Sequence, residues 1–123
     1  MRTYKQISSV LLNAIRTART TRIREDNDFK KEEEELKKLF TEDELMLFKA
    51  VNKVKKNAMN ASLNEFLSLA ENVTDNKKRQ ELNMEHLNRN TVNNNAILKA
   101  CSNFTSADQV EKFSKTFTPK VTG

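Results

Sequence analysis

Residues 41–72, TEDELMLFKAVNKVKKNAMNASLNEFLSLAEN, decide the fold class of this chain. Thr41 and Glu44 have the spacing of a capping box, in which each side chain accepts the other's backbone N–H at a helix start. Apolar residues then recur at helical spacing in two neighbouring stripes: Leu47, Val51, Val54, Ala58, Ala61, and Met59, Leu63, Phe66, Ala70, Val73. The pattern predicts a long central helix, from about Glu42 to Asn72, that several other helices contact.

The rest of the chain has helix signals of the same kind. Residues 3–24 place apolar side chains at three- and four-residue spacing, which predicts a first amphipathic helix. Pro119 ends the last predicted helix. Three further helix starts are predicted, at Thr74 or Asp75, at Thr91, and at Thr105 or Ser106, where Ser106 and Gln109 form a second capping box. We therefore predict an all-α protein of five to six helices with a small C-terminal helical pair.

Composition excludes several other classes of protein. The 123 residues include one Gly and one Pro, at positions 123 and 119, so tight turns for a hairpin-rich β-fold and glycine-rich phosphate loops are absent. A single cysteine and a single histidine exclude an internal disulfide, a Cys-based zinc site and a histidine cluster. We expect no metal, no cofactor and no membrane span, and we expect a cytoplasmic protein in a reducing compartment.

Domain organisation is less sharply marked than secondary structure. We predict an N-terminal helical unit over residues 1–90 and a C-terminal pair over 91–123, with one compact domain as the alternative. Residues 25–40, EDNDFKKEEEELKKLF, predict a loop over 25–28 and then a short solvated helix. This charged segment is also the best candidate for disorder.

Positive charge is concentrated at the N-terminus. Residues 1–24 contain six basic residues and no acidic one, whereas the remaining 16 basic and 17 acidic residues sum to −1. An acidic partner is therefore expected for the first helix. The candidate nucleic-acid-binding residues are Lys5, Arg16, Arg19, Arg22 and Arg24, with Arg2 nearby. Solvated side chains that pair with the chain's own glutamates are the plainer explanation.

Catalysis has little support in the sequence, and we predict no catalytic residue and no enzyme. A nucleophilic pair of Cys101 and His86 stays open, because the sequence does not show which side chains meet. The simpler expectation is that Cys101 is a small core residue and that His86 lies on a helix surface or packs at a hinge.

Four short stretches occur together in one order: Leu11–Arg16, Phe40–Leu45, Ser62–Phe66 with Glu81 and Leu82 downstream, and Phe117–Gly123. In this order the chain resembles the GatB/YqeY family, which comprises small helical proteins and the tail domain of the tRNA amidotransferase B subunit. The resemblance implies a helical fold and contact with tRNA without chemistry. The family's Tyr-Leu-Pro hinge is His86-Leu87-Asn88 here, without the proline.

Two functions follow as expectations. The first is a non-catalytic helical module that contacts RNA, in particular tRNA, through the N-terminal arginines, mainly at backbone phosphates. The second is a small adaptor or inhibitor, of the kind encoded by phages and plasmids, that binds a host protein and no nucleic acid. In that case the apolar stripe of the first helix would enter a groove of the partner. The sequence leaves the oligomeric state open.

Overall fold

The computed structural model describes residues 1–22, 34 and 37–122, and within these residues the protein is all-helical without a strand. The helices are α1 (Tyr4–Arg22), α2 (Glu42–Ala70), α3 (Asn76–Cys101) and α4 (Ala107–Thr116). The long helix α2 packs against each of the other three, and most extensively against α3. The predicted all-α class and long central helix are confirmed.

The start of α2 is fixed by the predicted capping box. The Glu44 backbone N–H donates to Thr41 Oγ1 at 3.2 Å, and the Thr41 N–H donates to Glu44 Oε1 at 2.9 Å. Two otherwise unpaired donors of the first turn are thereby satisfied. The helix ends at Ala70, two residues before the predicted end.

The predicted helix break at Thr91 is wrong, because α3 runs through this position without interruption to Cys101. The Thr91 hydroxyl donates back to the Leu87 carbonyl at 3.1 Å, four residues earlier, as a threonine inside a helix can do. The cap of α3 is Asp75, whose Oδ1 accepts the Lys77 N–H at 3.0 Å. The described residues therefore form four helices instead of five to six, and the division into units 1–90 and 91–123 stays a prediction.

One apolar core joins all four helices. Its buried members come from α1, α2, α3 and α4 and include Tyr4, Ile7, Leu47, Val51, Val54, Ala58, Ile97, Cys101 and Val110. Aromatic rings surround them, with Phe104 and Phe113 edge to face at 6.4 Å and Phe113 and Phe117 at 5.3 Å between ring centres. Cys101 is fully buried among these residues, as expected for a small core side chain. Burial raises the pKa of its thiol.

The first turn of α1 is tied to the connection between α3 and α4. The Tyr4 N–H donates to the Phe104 carbonyl at 2.9 Å, and the Lys5 N–H donates to the Ser102 carbonyl at 3.1 Å. A stacked contact of Tyr4 with Phe48, 5.9 Å between ring centres, adds an attachment to α2. The beginning of α1 is therefore held by residues from both halves of the chain.

The C-terminal segment leaves α4 in an extended conformation and lies against α3. Helix α4 begins at the predicted Ser106–Gln109 capping box and ends at Thr116, before the predicted stop at Pro119. The Asn93 side chain holds the segment that follows. Its Nδ2 donates to the Lys120 carbonyl at 2.9 Å, and its Oδ1 accepts the Lys120 N–H at 2.8 Å. One side-chain amide thus pairs with both backbone groups of Lys120, in the way that a residue of a neighbouring strand would.

The predicted loop over 25–28 and the short charged helix after it fall mainly outside the described residues. Glu34 and Lys37 have helical backbone, and the Lys38 N–H donates to the Glu34 carbonyl at 3.3 Å.

Candidate functional site

The candidate nucleic-acid-binding residues of α1 are only partly described. Lys5 and Arg16 have exposed side chains. Arg19 and Arg22 lie on the helix, but their side chains fall outside the description, and Arg24 falls wholly outside it. RNA contact by these five residues therefore stays a prediction. Two of them, Lys5 and Arg16, lie at the surface.

Arg2 does not belong to an exposed cationic strip, because Glu44 pairs with it. Its Nε and one terminal nitrogen donate to the two Glu44 oxygens at 2.5 and 2.9 Å, and a terminal nitrogen also donates to the Leu39 carbonyl at 3.0 Å. The guanidinium lies over the Phe40 ring at 5.5 Å. This guanidinium and the Thr41 backbone N–H lower the pKa of Glu44 to about 2. Arg2 therefore attaches the N-terminus to the start of α2.

Burial of α1 decreases from Tyr4 to Thr17, the part of the helix whose side chains are described. Tyr4 and Ile7 are 4% and 1% exposed, whereas Leu11, Ala14 and Ile15 are half-buried and Leu12 is exposed. The helix contains no acidic residue in any of its turns. Its basic residues after Lys5 thus follow the part of the helix that is anchored in the core.

A second basic surface, the α2 lysine face, was missed by the sequence reasoning. Lys49, Lys53 and Lys56 are exposed and follow one another at four- and three-residue spacing, which places them on one side of α2. Exposed Asn60 and Asn64 continue the same side. Residues 45–64 contain four lysines and no acidic residue. This local count would have revealed the face, but the sum over residues 25–123 concealed it.

A buried polar cluster lies between α2 and α3. The Ser62 Oγ is 2.8 Å from His86 Nδ1 and accepts a hydrogen bond from Arg89 Nε at 3.2 Å. Ser62, His86 and Arg89 are 0%, 8% and 4% exposed. The Phe66 ring stacks on the imidazole with 5.8 Å between ring centres and 20° between planes. His86 is thus buried against α2 and hydrogen-bonded to it, not on the helix surface.

Cys101 and Ser62, the two side chains that could serve as a nucleophile with His86, are both fully buried. Cys101 and His86 lie fifteen residues apart on one continuous helix, about 22 Å along its axis, so they form no catalytic pair. The Ser62–His86 distance is that of a nucleophile and its base, but the serine is fully buried and Arg89 also bonds to its oxygen. The buried serine therefore lacks the access to a substrate that a nucleophile needs.

An apolar groove of about 400 Å³ lies where the end of α2 meets the start of α3. Its lining comes from Phe66, Leu67 and Ala70 on one helix and from Arg79, Gln80 and Asn83 on the other. Met84 and Leu87, on the next turns of α3, are 55% and 47% exposed. The described surface therefore includes exposed apolar side chains on the turns of α3 that follow the groove.

No described helix has the length and hydropathy that crossing a membrane requires. Within the described residues, no three His, Cys, Asp or Glu side chains converge as a metal site would need. No family model, curated protein or solved structure matches this chain. The resemblance to the GatB/YqeY family therefore stays a prediction that rests on the four stretches of sequence.

Proposed function

We propose that this protein binds RNA through two acid-free basic helix faces, the N-terminal helix α1 and the α2 lysine face. The observation that carries the proposal is the pattern of charge on α2, where Lys49, Lys53 and Lys56 share one exposed side and residues 45–64 contain no acid. The exposed Lys5 and Arg16 on acid-free α1 add to it. Transfer RNA is the RNA class that the family resemblance implies.

The chemistry of both faces favours phosphate contact over base reading. Lysine and arginine side chains neutralise backbone phosphates and release condensed counterions, which supplies affinity without sequence information. Tyr4 and Phe48, which would be stacking platforms in a base-reading protein, pack against each other near the core. Binding is therefore directed at the backbone and the shape of the RNA.

Salt dependence tests the proposal. The logarithm of the binding constant for tRNA should fall linearly with the logarithm of salt concentration, with a slope of about −0.7 to −0.9 per phosphate contacted. A Lys49/Lys53/Lys56 triple Gln variant should make the slope less negative by about two to three units, and it should weaken binding at every salt concentration. An Arg16/Arg19/Arg22 triple Ala variant should act in the same direction and keep its helical circular dichroism signal.

A charge-matched control separates a local interface from net charge alone. Lys77, Lys78 and Lys99 lie on α3, outside both faces, and changing all three to Gln removes the same charge. This control should keep most of the affinity that the α2 variant loses. The proposal is wrong if the unmodified protein shifts no tRNA at low salt, or if the control and the α2 variant lose affinity equally.

A second candidate function, a protein-binding adaptor, is favoured by the apolar groove and by the exposed Met84 and Leu87. Exposed basic and acidic residues alternate around this region, so the partner would present an amphipathic helix whose apolar side enters the groove. A Leu67/Leu87 double Gln variant would then lose a stoichiometric protein partner in pull-downs from the native host and keep its RNA affinity. The α2 lysine variant would lose RNA affinity and keep the protein partner.

A further inference from the structure

Two hydrogen bonds link the side chains of Arg89, Ser62 and His86 in the buried polar cluster. An arginine Nε only donates, so Ser62 Oγ accepts from Arg89. The serine proton is then directed to His86 Nδ1, 2.8 Å away. In the opposite arrangement Nδ1 would donate to the serine as well, and the buried hydroxyl proton would lack an acceptor within the cluster. The order that satisfies the serine proton within the cluster is Arg89 to Ser62 to His86, and it requires the imidazole proton on Nε2.

This order leaves an excess of donors. Arg89 is 4% exposed, and its described contacts include no carboxylate. Its terminal N–H groups and the His86 Nε2–H have no acceptor among the described residues, and because none of these nitrogens is among the fully buried unpaired atoms, they reach the surface. Hydration of these donors is limited, since both residues are largely buried, and no described residue of opposite charge stands beside the guanidinium. An anionic oxygen would complement them.

The surrounding residues hold these donors in place. Phe66 stacks on the imidazole and fixes the plane of the ring, and Ser62 joins both donors to α2. His86 and Arg89 are one turn apart on α3, so they lie on the same side of that helix. Because both residues are more than nine-tenths buried, only a small part of each side chain faces the surface, which suits contact with one small group better than with an extended ligand.

We propose that Arg89 and His86 form a binding site for one phosphoryl group at the junction of α2 and α3. A guanidinium fork with a neighbouring imidazole N–H offers several donors to a tetrahedral oxyanion. The group comes either from free phosphate or from a phosphate of a bound RNA, which share this chemistry. The site is separate from α1 and from the α2 lysine face, so its binding of phosphate can be tested independently of RNA binding by those two faces.

The only histidine of the chain gives a direct measurement. The ¹⁵N resonances of His86 in the unmodified protein should show Nδ1 as an acceptor and Nε2 as protonated. Inorganic phosphate, titrated at constant ionic strength against chloride, should then shift the Nε2 and Hε1 resonances along a saturating curve. The opposite tautomer, or a shift that stays linear in phosphate, would overturn the site.

Two variants test the role of the guanidinium. Arg89→Gln should weaken phosphate binding about tenfold or more, because a charge-assisted contact is lost. Lys99→Gln, an equal change of charge at an exposed position of the same helix, should leave the curve unaltered. If Arg89→Gln does not fold, Arg89→Lys keeps the charge but removes the planar fork, and it should weaken binding in the same direction. Unchanged binding in the folded variant contradicts the proposal.

A third titration, with a short single-stranded RNA at matched phosphate concentration, identifies the source of the group. Saturable shifts of His86 with inorganic phosphate alone support a free-phosphate site, and saturable shifts with RNA support an RNA phosphate. If neither titrant moves His86 while tRNA is still retained on a gel, the phosphoryl site is refuted and the RNA-binding function survives. If inorganic phosphate gives saturable shifts but tRNA is not retained on the gel, the phosphoryl site is supported and the RNA-binding function is refuted.

Discussion

The guanidinium of Arg2 and the carboxylate of Glu44 meet across forty-two positions of sequence, through hydrogen bonds of 2.5 and 2.9 Å. The same carboxylate completes the capping box of α2 by accepting the Thr41 N–H. One side chain thus joins the N-terminus to the central helix and closes that helix's first turn. Its protonation should loosen both attachments.

Acid should therefore reduce stability through Glu44. The folded pKa of Glu44 is about 2, below the usual value of 4.5, so its contribution is complete above pH 4.5 and is lost as pH falls through 2. Glu44→Gln should unfold at lower urea concentration than the wild type at pH 7, and the two midpoints should converge toward pH 2. Glu42→Gln, an exposed change in the same turn, should show much less of this difference. A gap between wild type and Glu44→Gln that does not change with pH would contradict the assignment.

Thr91 and Thr41 should respond differently to the same substitution. Thr41→Ala removes a helix cap and should cost about 1 kcal/mol of unfolding free energy. Thr91→Ala lies inside α3, where alanine has the higher helix propensity, so the change should stay within about 0.5 kcal/mol. Equilibrium urea unfolding measures both. A loss at Thr91 as large as that at Thr41 would indicate that a helix begins there after all.

The Asn93 amide should be energetically coupled to the C-terminal segment. Asn93→Ala in the full chain should cost about 2 kcal/mol, because two hydrogen bonds to the Lys120 peptide are lost. In a chain ending at Thr118 the same substitution should cost about 1 kcal/mol less, since those partners are already gone. The control is Asn95→Ala, an exposed change on the same helix, which should have little effect in either chain. Equal costs of Asn93→Ala in both chains would show that the clamp is not formed.

Cys101, the only cysteine, should report the opening of the core. The thiol is fully buried and burial raises its pKa, so a disulfide reagent at pH 8 should modify it about a hundredfold or more slowly than in denaturant. A Cys101→Ala, Ser114→Cys variant places the thiol at an exposed position of α4 and should react at close to the denatured rate. Rapid labelling of native Cys101 would mean that the core opens easily.

The central helix could be predicted to within two residues because its signals are local: a capping box and apolar spacing. The break at Thr91 was predicted wrongly for a related reason. A threonine that caps a helix and one that bonds back to the preceding turn look identical in sequence, and the packing of the neighbouring residues decides between them. The number of helices could therefore not be predicted from local sequence, because it depends on whether the helix continues through Thr91.

The candidate sites differ in the same way. A charge count over a short window would have predicted the α2 lysine face, since it needs only the periodicity of one helix. The cluster of Ser62, His86 and Arg89 depends on how α2 and α3 are aligned against each other, and no spacing within either helix encodes that alignment. The partnership of Arg2 with Glu44 is equally remote in sequence.

The hydrogen bonds from Tyr4 and Lys5 to the Phe104 and Ser102 carbonyls have a consequence for synthesis in the cell. As the chain leaves the ribosome, the first helix emerges long before its anchoring carbonyls have been translated. Tyr4 and Ile7 cannot be buried until Ile97 and Val110, which pack in the same core, have been synthesised. Bringing residues so far apart in the chain together also has an unfavourable loop-closure entropy. Until then the nascent protein displays a basic amphipathic segment that a chaperone, or the RNA-rich ribosome surface itself, can engage first.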